Sequence, residues 1–144
     1  TNISFSDLLP TIIDIISSKK IKDKSLDGGS FKDILFGKSK TIKRPTNGLI
    51  FHVPYENGIA LKRAHSAIIQ DNYKLVKFYD NDEIQLFDLN TDIYEENDLY
   101  QKKGKIAKRL ETSLMNYLSG VKAPKWQPGI TWKFNTLKKI NSFH

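Results

Sequence analysis

Cysteine is absent from this chain of 144 residues, and methionine occurs only once. The absence of cysteine excludes disulfides, thiolate metal sites and cysteine nucleophiles, and it leaves the redox compartment open. Long apolar runs are also missing, so no segment has the length of a membrane span, and the first residues lack the pattern of a targeting signal. The length corresponds to one domain with a real hydrophobic core.

Positive charge is scarce in one part of the chain and negative charge is scarce in another, although the net charge is +7. Residues 73–100 contain eight acidic side chains and two lysines, whereas residues 101–144 contain ten basic side chains and one acidic residue, Glu111. The basic end could bind an anionic partner such as nucleic acid, a membrane surface or a sulfated polymer. Alternatively, the acidic and basic segments face each other within one fold.

The segment 65–89 organises the rest of the chain. It contains three runs typical of β-strands, 66–70, 73–79 and 84–88, separated by short polar turns at Asp71-Asn72 and Asp80-Asn81-Asp82. Such short connections require antiparallel neighbours. A further strand is predicted at 49–53, where Pro54 ends it.

Helices are predicted on both sides of these strands. Residues 4–7 have N-cap chemistry and precede a helix predicted at 7–18, with Pro10 in its first turn. Its apolar face is broad enough to require a large packing partner. Apolar residues at four-residue spacing predict a second helix at 105–119, with Gly120 as its C-cap. The predicted fold class is α+β, a small antiparallel sheet of about four strands with a packed C-terminal helix.

The last segment, residues 123–144, combines aromatic and basic residues with two prolines, which favours an extended tail. Aromatic rings next to lysines can stack on bases or sugar rings, or pack on their own domain.

Several motifs, in the right order, resemble the C-terminal region of the formylglycine-dependent (type I, arylsulfatase-like) sulfatases. The resemblance extends to about Val121 and rests on Asp7-Leu-Leu-Pro-Thr-Ile-Ile-Asp14, Leu26-Asp-Gly-Gly-Ser-Phe31, Ser66-Ala-Ile68, Asp71-Asn-Tyr-Lys-Leu-Val76, Leu86-Phe-Asp-Leu-Asn-Thr-Asp92 and Glu95-Glu-Asn-Asp-Leu99. It implies the C-terminal subdomain of an alkaline-phosphatase-like sulfatase at residues 46–122. Residues 1–45 would then belong with a missing catalytic domain, and residues 123–144 would form the basic, aromatic tail.

The resemblance also implies that the catalytic groups lie in a different part of the protein. Sulfatases of this type hydrolyse sulfate esters with a formylglycine made within a Cys/Ser-x-Pro/Ala-x-Arg motif, beside a divalent cation, expected to be calcium. No such motif occurs in this sequence. We therefore expect a piece of a longer protein that does not turn over substrate alone. Its expected partners are an N-terminal catalytic domain and a sulfated saccharide, and secreted or periplasmic placement follows from the resemblance only.

Candidate substrate-binding residues lie around the first predicted strand. The segment Phe51-His52-Val53-Pro54-Tyr55 resembles a family segment at the mouth of the active site. We expect His52 and Tyr55 to contact the sugar, and Lys62, Arg63 and His65 to line the same rim, where cations suit an anionic glycan. The alternative for His52 is a half-buried histidine whose ring binds a backbone carbonyl.

Two other functional classes are compatible with parts of the sequence. A stand-alone hydrolase could pair His52 or His65 with Asp71 or Glu56, but it would need a nucleophile or a metal, and the three histidines lack metal-ligand spacing. A non-catalytic basic module could bind an anionic glycan or nucleic acid. Nucleic-acid affinity would fall steeply with salt, whereas stacking of a glycan on Trp126 or Trp132 would tolerate it.

Overall fold

The computed structural model describes residues 1–17, 26–46, 48–56 and 63–127. The chain divides into two compact units, Thr1–Leu49 and Ile50–His144. Three features predicted from the sequence lie outside the described residues: Lys62, the end of the first helix at Ser18, and the tail beyond Gln127.

The first unit opens with a 3-10 helix, Phe5–Asp7, that continues into α1, Leu8–Ile16. Ser4 caps this start, because the Asp7 carboxylate accepts the Ser4 backbone N–H at 2.8 Å in a capping box. Pro10 lies in the first turn of α1, as predicted, where its missing N–H leaves no bond unmade. The short helix α2, Lys32–Leu35, packs against α1.

A buried carboxylate holds the first unit together. The fully buried Asp7 accepts Arg44 Nε at 2.9 Å and Arg44 Nη2 at 2.6 Å, and the backbone N–H of Gly29 at 2.9 Å. The neighbouring loop comes so close that a Cβ on Gly28 would clash with the Ser6 carbonyl. The Leu26–Phe31 motif therefore contains glycine because its backbone lies directly against the start of the helix.

One side of the first unit is apolar and exposed. Phe5, Leu9, Ile12 and Ile16 recur at spacings of three and four residues, which places them along one side of the helical segment. Each is more than half exposed. These four side chains are called here the α1 stripe. They are as apolar as a protein interior, but no described part of their own unit covers them.

The second unit contains the predicted sheet. Its strands are β1 (Leu49–Val53), β2 (His65–Gln70), β3 (Tyr73–Phe78) and β4 (Ile84–Asp88), in the spatial order β1-β2-β3-β4. Both β2–β3 and β3–β4 are antiparallel, with Ala67 opposite Val76 and Leu75 opposite Leu86. Asp71 turns the first hairpin with a φ of 56°. The predicted four-strand sheet is confirmed.

The helix α3, Gly104–Gly120, packs on β2 and β3 and forms the second layer. Its apolar side meets the sheet in one cluster, as the four-residue spacing predicts. The buried members of that cluster are Ile68, Leu75, Leu86, Ala107, Leu110, Leu114 and Leu118. No helix among the described residues is both long and apolar enough to cross a bilayer.

The end of α3 differs from the prediction. Gly120 is still helical, Val121 is the C-cap, and the left-handed residue is Lys122, with a φ of 52°. The Ala123 N–H donates to the Leu118 carbonyl at 2.8 Å and the Lys122 N–H to the Ser119 carbonyl at 3.1 Å, which is a Schellman motif. Packing of Ala123 against the core cluster sets the end of the helix, and it overrides the preference for glycine at the left-handed position.

Candidate functional site

His52 on β1 has hydrogen bonds at both ring nitrogens. Its Nδ1 lies 2.6 Å from Ser66 Oγ on β2, and its Nε2 lies 2.8 Å from the carbonyl oxygen of Pro124, beyond α3. A carbonyl only accepts, so Nε2 carries the proton and donates it to Pro124. In the neutral ring, Nδ1 therefore accepts the Ser66 hydroxyl proton. The geometry matches the alternative given above, a strand histidine bonded to a backbone carbonyl.

The hydrogen-bond chain continues to Tyr79. Its hydroxyl lies 2.6 Å from Ser66 Oγ, and because Ser66 donates to His52, Tyr79 donates to Ser66. The rings of His52 and Tyr79 meet edge to face, with centroids 6.2 Å apart. Burial lowers the pKa of His52 below its ordinary value and nearby His65 lowers it further, while the hydrogen bond to Pro124 acts in the opposite direction. The ring is accordingly neutral at neutral pH.

A cleft of about 910 Å³ opens beside His52. It lies at the C-terminal end of α3 and includes the segment that follows the helix. Its wall combines aromatic rings, an aliphatic floor and two cations. These groups belong to His52, Tyr79, Leu118, Lys122, Lys125 and Trp126.

Arg63 and His65 lie elsewhere. The Arg63 guanidinium contacts Asp80 at 2.7 Å and Glu83 at 3.0 Å, and its central carbon lies 3.9 Å above the centre of the Phe78 ring. The hydrogen bond to Asp80 raises the pKa of Arg63 further. His65 is buried and its Nδ1 lies 2.7 Å from the Arg63 carbonyl. Because His65 directly precedes Ser66 on β2, the two side chains point to opposite faces of the sheet.

The predicted residues thus divide into separate groups. His52 lies in the cleft, Arg63 and His65 lie together beside Phe78, and Tyr55 is half-buried just beyond β1. The structure adds Ser66, Tyr79 and the Pro124 carbonyl, which sequence patterns did not single out. The alternation of side chains along a strand could have predicted which face of the sheet Ser66 and Tyr79 lie on. No pattern in the neighbouring sequence predicts the contact between residues 52 and 124.

The positions of the metal-ligating side chains show whether the described residues could hold the expected metal ion. Over the parts of the chain that the structure describes, no group of three or more His, Asp or Glu side chains comes together in a way that could hold a metal ion. These residues do not fit the calcium that the family resemblance implies.

Comparison with protein families matches residues 2–132 to the family described as N-sulphoglucosamine sulphohydrolase, C-terminal. The chain belongs to this family. The predicted resemblance to the C-terminal region of a formylglycine-dependent sulfatase is confirmed. A comparison with curated protein sequences gives no significant match.

Solved sulfatase structures have the same fold. A putative sulfatase from Bacteroides thetaiotaomicron matches with a TM-score of 0.64 and 19% identity, over 85% of this chain and 27% of that one. A 2-O GAG sulfatase matches with a TM-score of 0.62 and 21% identity, over 81% and 25%. A structure in complex with its substrate, D-glucosamine-2-N,6-O-disulfate, gives a TM-score of 0.55 and 25% identity, over 81% and 23%.

These matches confirm the predicted fold class, the C-terminal subdomain of an alkaline-phosphatase-like sulfatase. The chain spans about a quarter of the length of the solved structures that it matches.

Proposed function

We propose that this chain is the C-terminal part of a sulfatase that acts on a sulfated saccharide, and that it forms one wall of the substrate pocket. The family match over residues 2–132 carries the proposal. Two structural neighbours, one described as a 2-O GAG sulfatase and one in complex with a disulfated glucosamine, support the substrate class.

The proposal places the reacting groups in the remainder of the protein. As the family resemblance implies, the formylglycine and the calcium lie in an N-terminal catalytic domain in this proposal; the present chain contains no Cys/Ser-x-Pro/Ala-x-Arg motif. That domain covers the α1 stripe, since the exposed parts of four large apolar side chains left in water would be unfavourable by roughly 1 kcal/mol each. Secreted or periplasmic placement, which the family resemblance implies, belongs to the same proposal.

Within this chain, His52, Tyr55, Lys62, Arg63 and His65 remain the proposed substrate-facing residues. His52 is the best supported of them, because it lies in the cleft. Both of its ring nitrogens are engaged, so it acts by fixing the wall of the cleft and the direction of the Tyr79 hydroxyl. The Arg63 guanidinium already forms ion pairs with Asp80 and Glu83, which fix its position and offset its charge.

The test is sulfate release by the full-length protein from a panel of sulfated saccharides, compared between wild type and His52→Ala. We expect His52→Ala to lower kcat/KM much more than it lowers thermal stability. Ser66→Ala removes the two hydrogen bonds that link His52 to Tyr79, so it should also lower kcat/KM if His52 acts by fixing the Tyr79 hydroxyl. Equal losses of activity and stability in His52→Ala would contradict a substrate-facing role.

Absence of sulfate release from every saccharide in the panel would overturn the sulfatase proposal. If the protein still bound those saccharides, the alternative of a non-catalytic glycan-binding module would take its place.

A further inference from the structure

Among the lysines and arginines of the second unit that form no ion pair with a described acidic side chain, Lys122 and Lys125 are the two that line the cleft. Arg63, Lys74, Lys77, Lys103 and Arg109 each form an ion pair with an acidic side chain. Lys122 and Lys125 also belong to this unit, but neither has an acidic partner among the described residues. Both line the cleft, where Asp82 is the opposing carboxylate. The cleft therefore has an excess of positive charge that the fold does not use.

The backbone at Lys122 gives a second observation. A left-handed conformation costs a residue with a side chain roughly 1–2 kcal/mol, and glycine is the usual residue at this position of a Schellman motif. Lys122 occupies it with a φ of 52° and an exposed side chain. The turn that packing of Ala123 sets also places the exposed Lys122 side chain at the cleft, so the end of the helix positions this cation.

The rest of the cleft suits a sugar ring. Its volume of about 910 Å³ lies within the range of about 300–1,000 Å³ that is typical of small-ligand sites. Trp126 and Tyr79 supply flat aromatic surfaces, and Leu118 supplies an aliphatic one. Aromatic faces pack on the C–H faces of pyranose rings while cations bind the charged substituents.

We propose that this cleft binds an anionic sugar residue of the saccharide chain, with Lys122 and Lys125 facing its sulfate or carboxylate group and Trp126 packing against its ring. The inference rests on the proposed function, to which it adds a site for a second sugar residue besides the one that loses its sulfate.

The test measures affinity of the full-length protein for two probes, a heparin tetrasaccharide and a carrageenan tetrasaccharide, by isothermal titration at fixed salt. The variant is Lys122→Gly/Lys125→Ala. We expect about tenfold weaker binding of the preferred probe, equivalent to about 1.4 kcal/mol. Because glycine relieves the strain at position 122, the variant should not be less stable than wild type, so weaker binding cannot be attributed to unfolding.

The matched control is Lys105→Ala/Lys108→Ala, which removes the same charge from the first turns of α3. Lys108 lies ten residues before Leu118 of the cleft on the same helix, or roughly 15 Å along its axis. We expect the control to change affinity less than twofold. Equal affinities of the cleft and control variants, or no binding of either probe by wild type, would overturn the proposal.

If the protein releases sulfate from saccharides but the cleft and control variants bind the probes with equal affinity, the proposed function stands and the cleft is not a binding site. A protein that binds a tetrasaccharide through the two lysines but releases no sulfate would keep the site and lose the sulfatase activity. Tighter lysine-dependent binding of a single-stranded oligonucleotide than of either saccharide would also overturn the inference.

Discussion

Asp7 has the most demanding environment of any described carboxylate, because it is fully buried. Burial alone would raise its pKa, but the hydrogen bonds from Arg44, Ser4 and Gly29 outweigh this effect and hold the pKa of Asp7 below its ordinary value. An unfolded carboxylate therefore binds a proton at a higher pH than the folded one. The stabilisation is fully present above about pH 4, the usual pKa of an unfolded aspartate, and it is lost as the pH falls through the folded pKa.

Replacing Arg44 by methionine should destabilise the protein by about 3–5 kcal/mol, because the buried Asp7 charge would lose its bidentate partner. Urea unfolding of the full-length protein at pH 7 measures the effect. Lys43→Met is the control, since the neighbouring lysine is exposed. A loss below 1 kcal/mol for Arg44→Met would show that the ion pair does not hold the first unit together.

His52 predicts a second pH dependence of stability, which arises from a basic group instead of a carboxylate. Its folded pKa lies below the ordinary value, so the unfolded ring takes up a proton first as the pH falls. Its contribution to stability is complete above about pH 6.5 and declines as the pH falls through the folded pKa. Denaturant unfolding between pH 5 and pH 8 should therefore show a steeper loss for wild type than for His52→Gln. Identical slopes would contradict a neutral, half-buried imidazole.

At the scale of elements, the end of α3 predicts a stabilising substitution. Lys122→Gly should raise the free energy of unfolding by about 1 kcal/mol, since glycine adopts the left-handed conformation without a Cβ clash. Differential scanning calorimetry measures the rise in Tm. Lys125→Gly is the control, because Lys125 is not among the residues with positive φ and should gain nothing. Equal effects of the two changes would show that strain at position 122 is negligible.

The loop that lies against the first helix predicts a change of the opposite sign. Gly28→Ala should lower the free energy of unfolding by several kcal/mol, because its Cβ would clash with the Ser6 carbonyl. Gly120→Ala is the control: a Cβ at that position would meet no described atom within 4 Å apart from its chain neighbours and the nearby backbone of its own helix, and alanine in a helix is favoured by about 1 kcal/mol. Thermal melts of both variants should move in opposite directions, and a neutral Gly28→Ala would contradict the close backbone contact.

For the whole molecule, the α1 stripe predicts a context-dependent effect. Ile12→Ser/Ile16→Ser should lower the Tm of the full-length protein, since it removes apolar surface from the proposed contact with the catalytic domain. In the separate 144-residue chain the same change should improve solubility. Val121→Ser, another exposed apolar site, should leave the full-length Tm nearly unchanged. A full-length Tm unaffected by the double change would refute coverage of the stripe.

The sequence predicted the fold better than the site. Short runs of strand-forming residues and short polar turns were sufficient to predict β2, β3 and β4, because hairpins form between neighbouring segments of the chain. Apolar residues at four-residue spacing were sufficient to predict α3. The C-cap was predicted at Gly120 because propensity favours glycine, whereas tertiary packing of Ala123 placed the turn at Lys122. The cleft depends on a contact between residues 52 and 124, which no local pattern contains.

That same contact bears on the order in which the domain folds. The hairpins β2–β3–β4 close over a few residues and need little loop entropy, whereas the bond from His52 to Pro124 spans 72 residues of chain. We therefore expect the cleft wall to form after the hairpins and to open before them in native fluctuations. Amide hydrogen exchange should be faster at residues 123–127 than in β3, and a saccharide bound in the cleft should slow exchange at these residues.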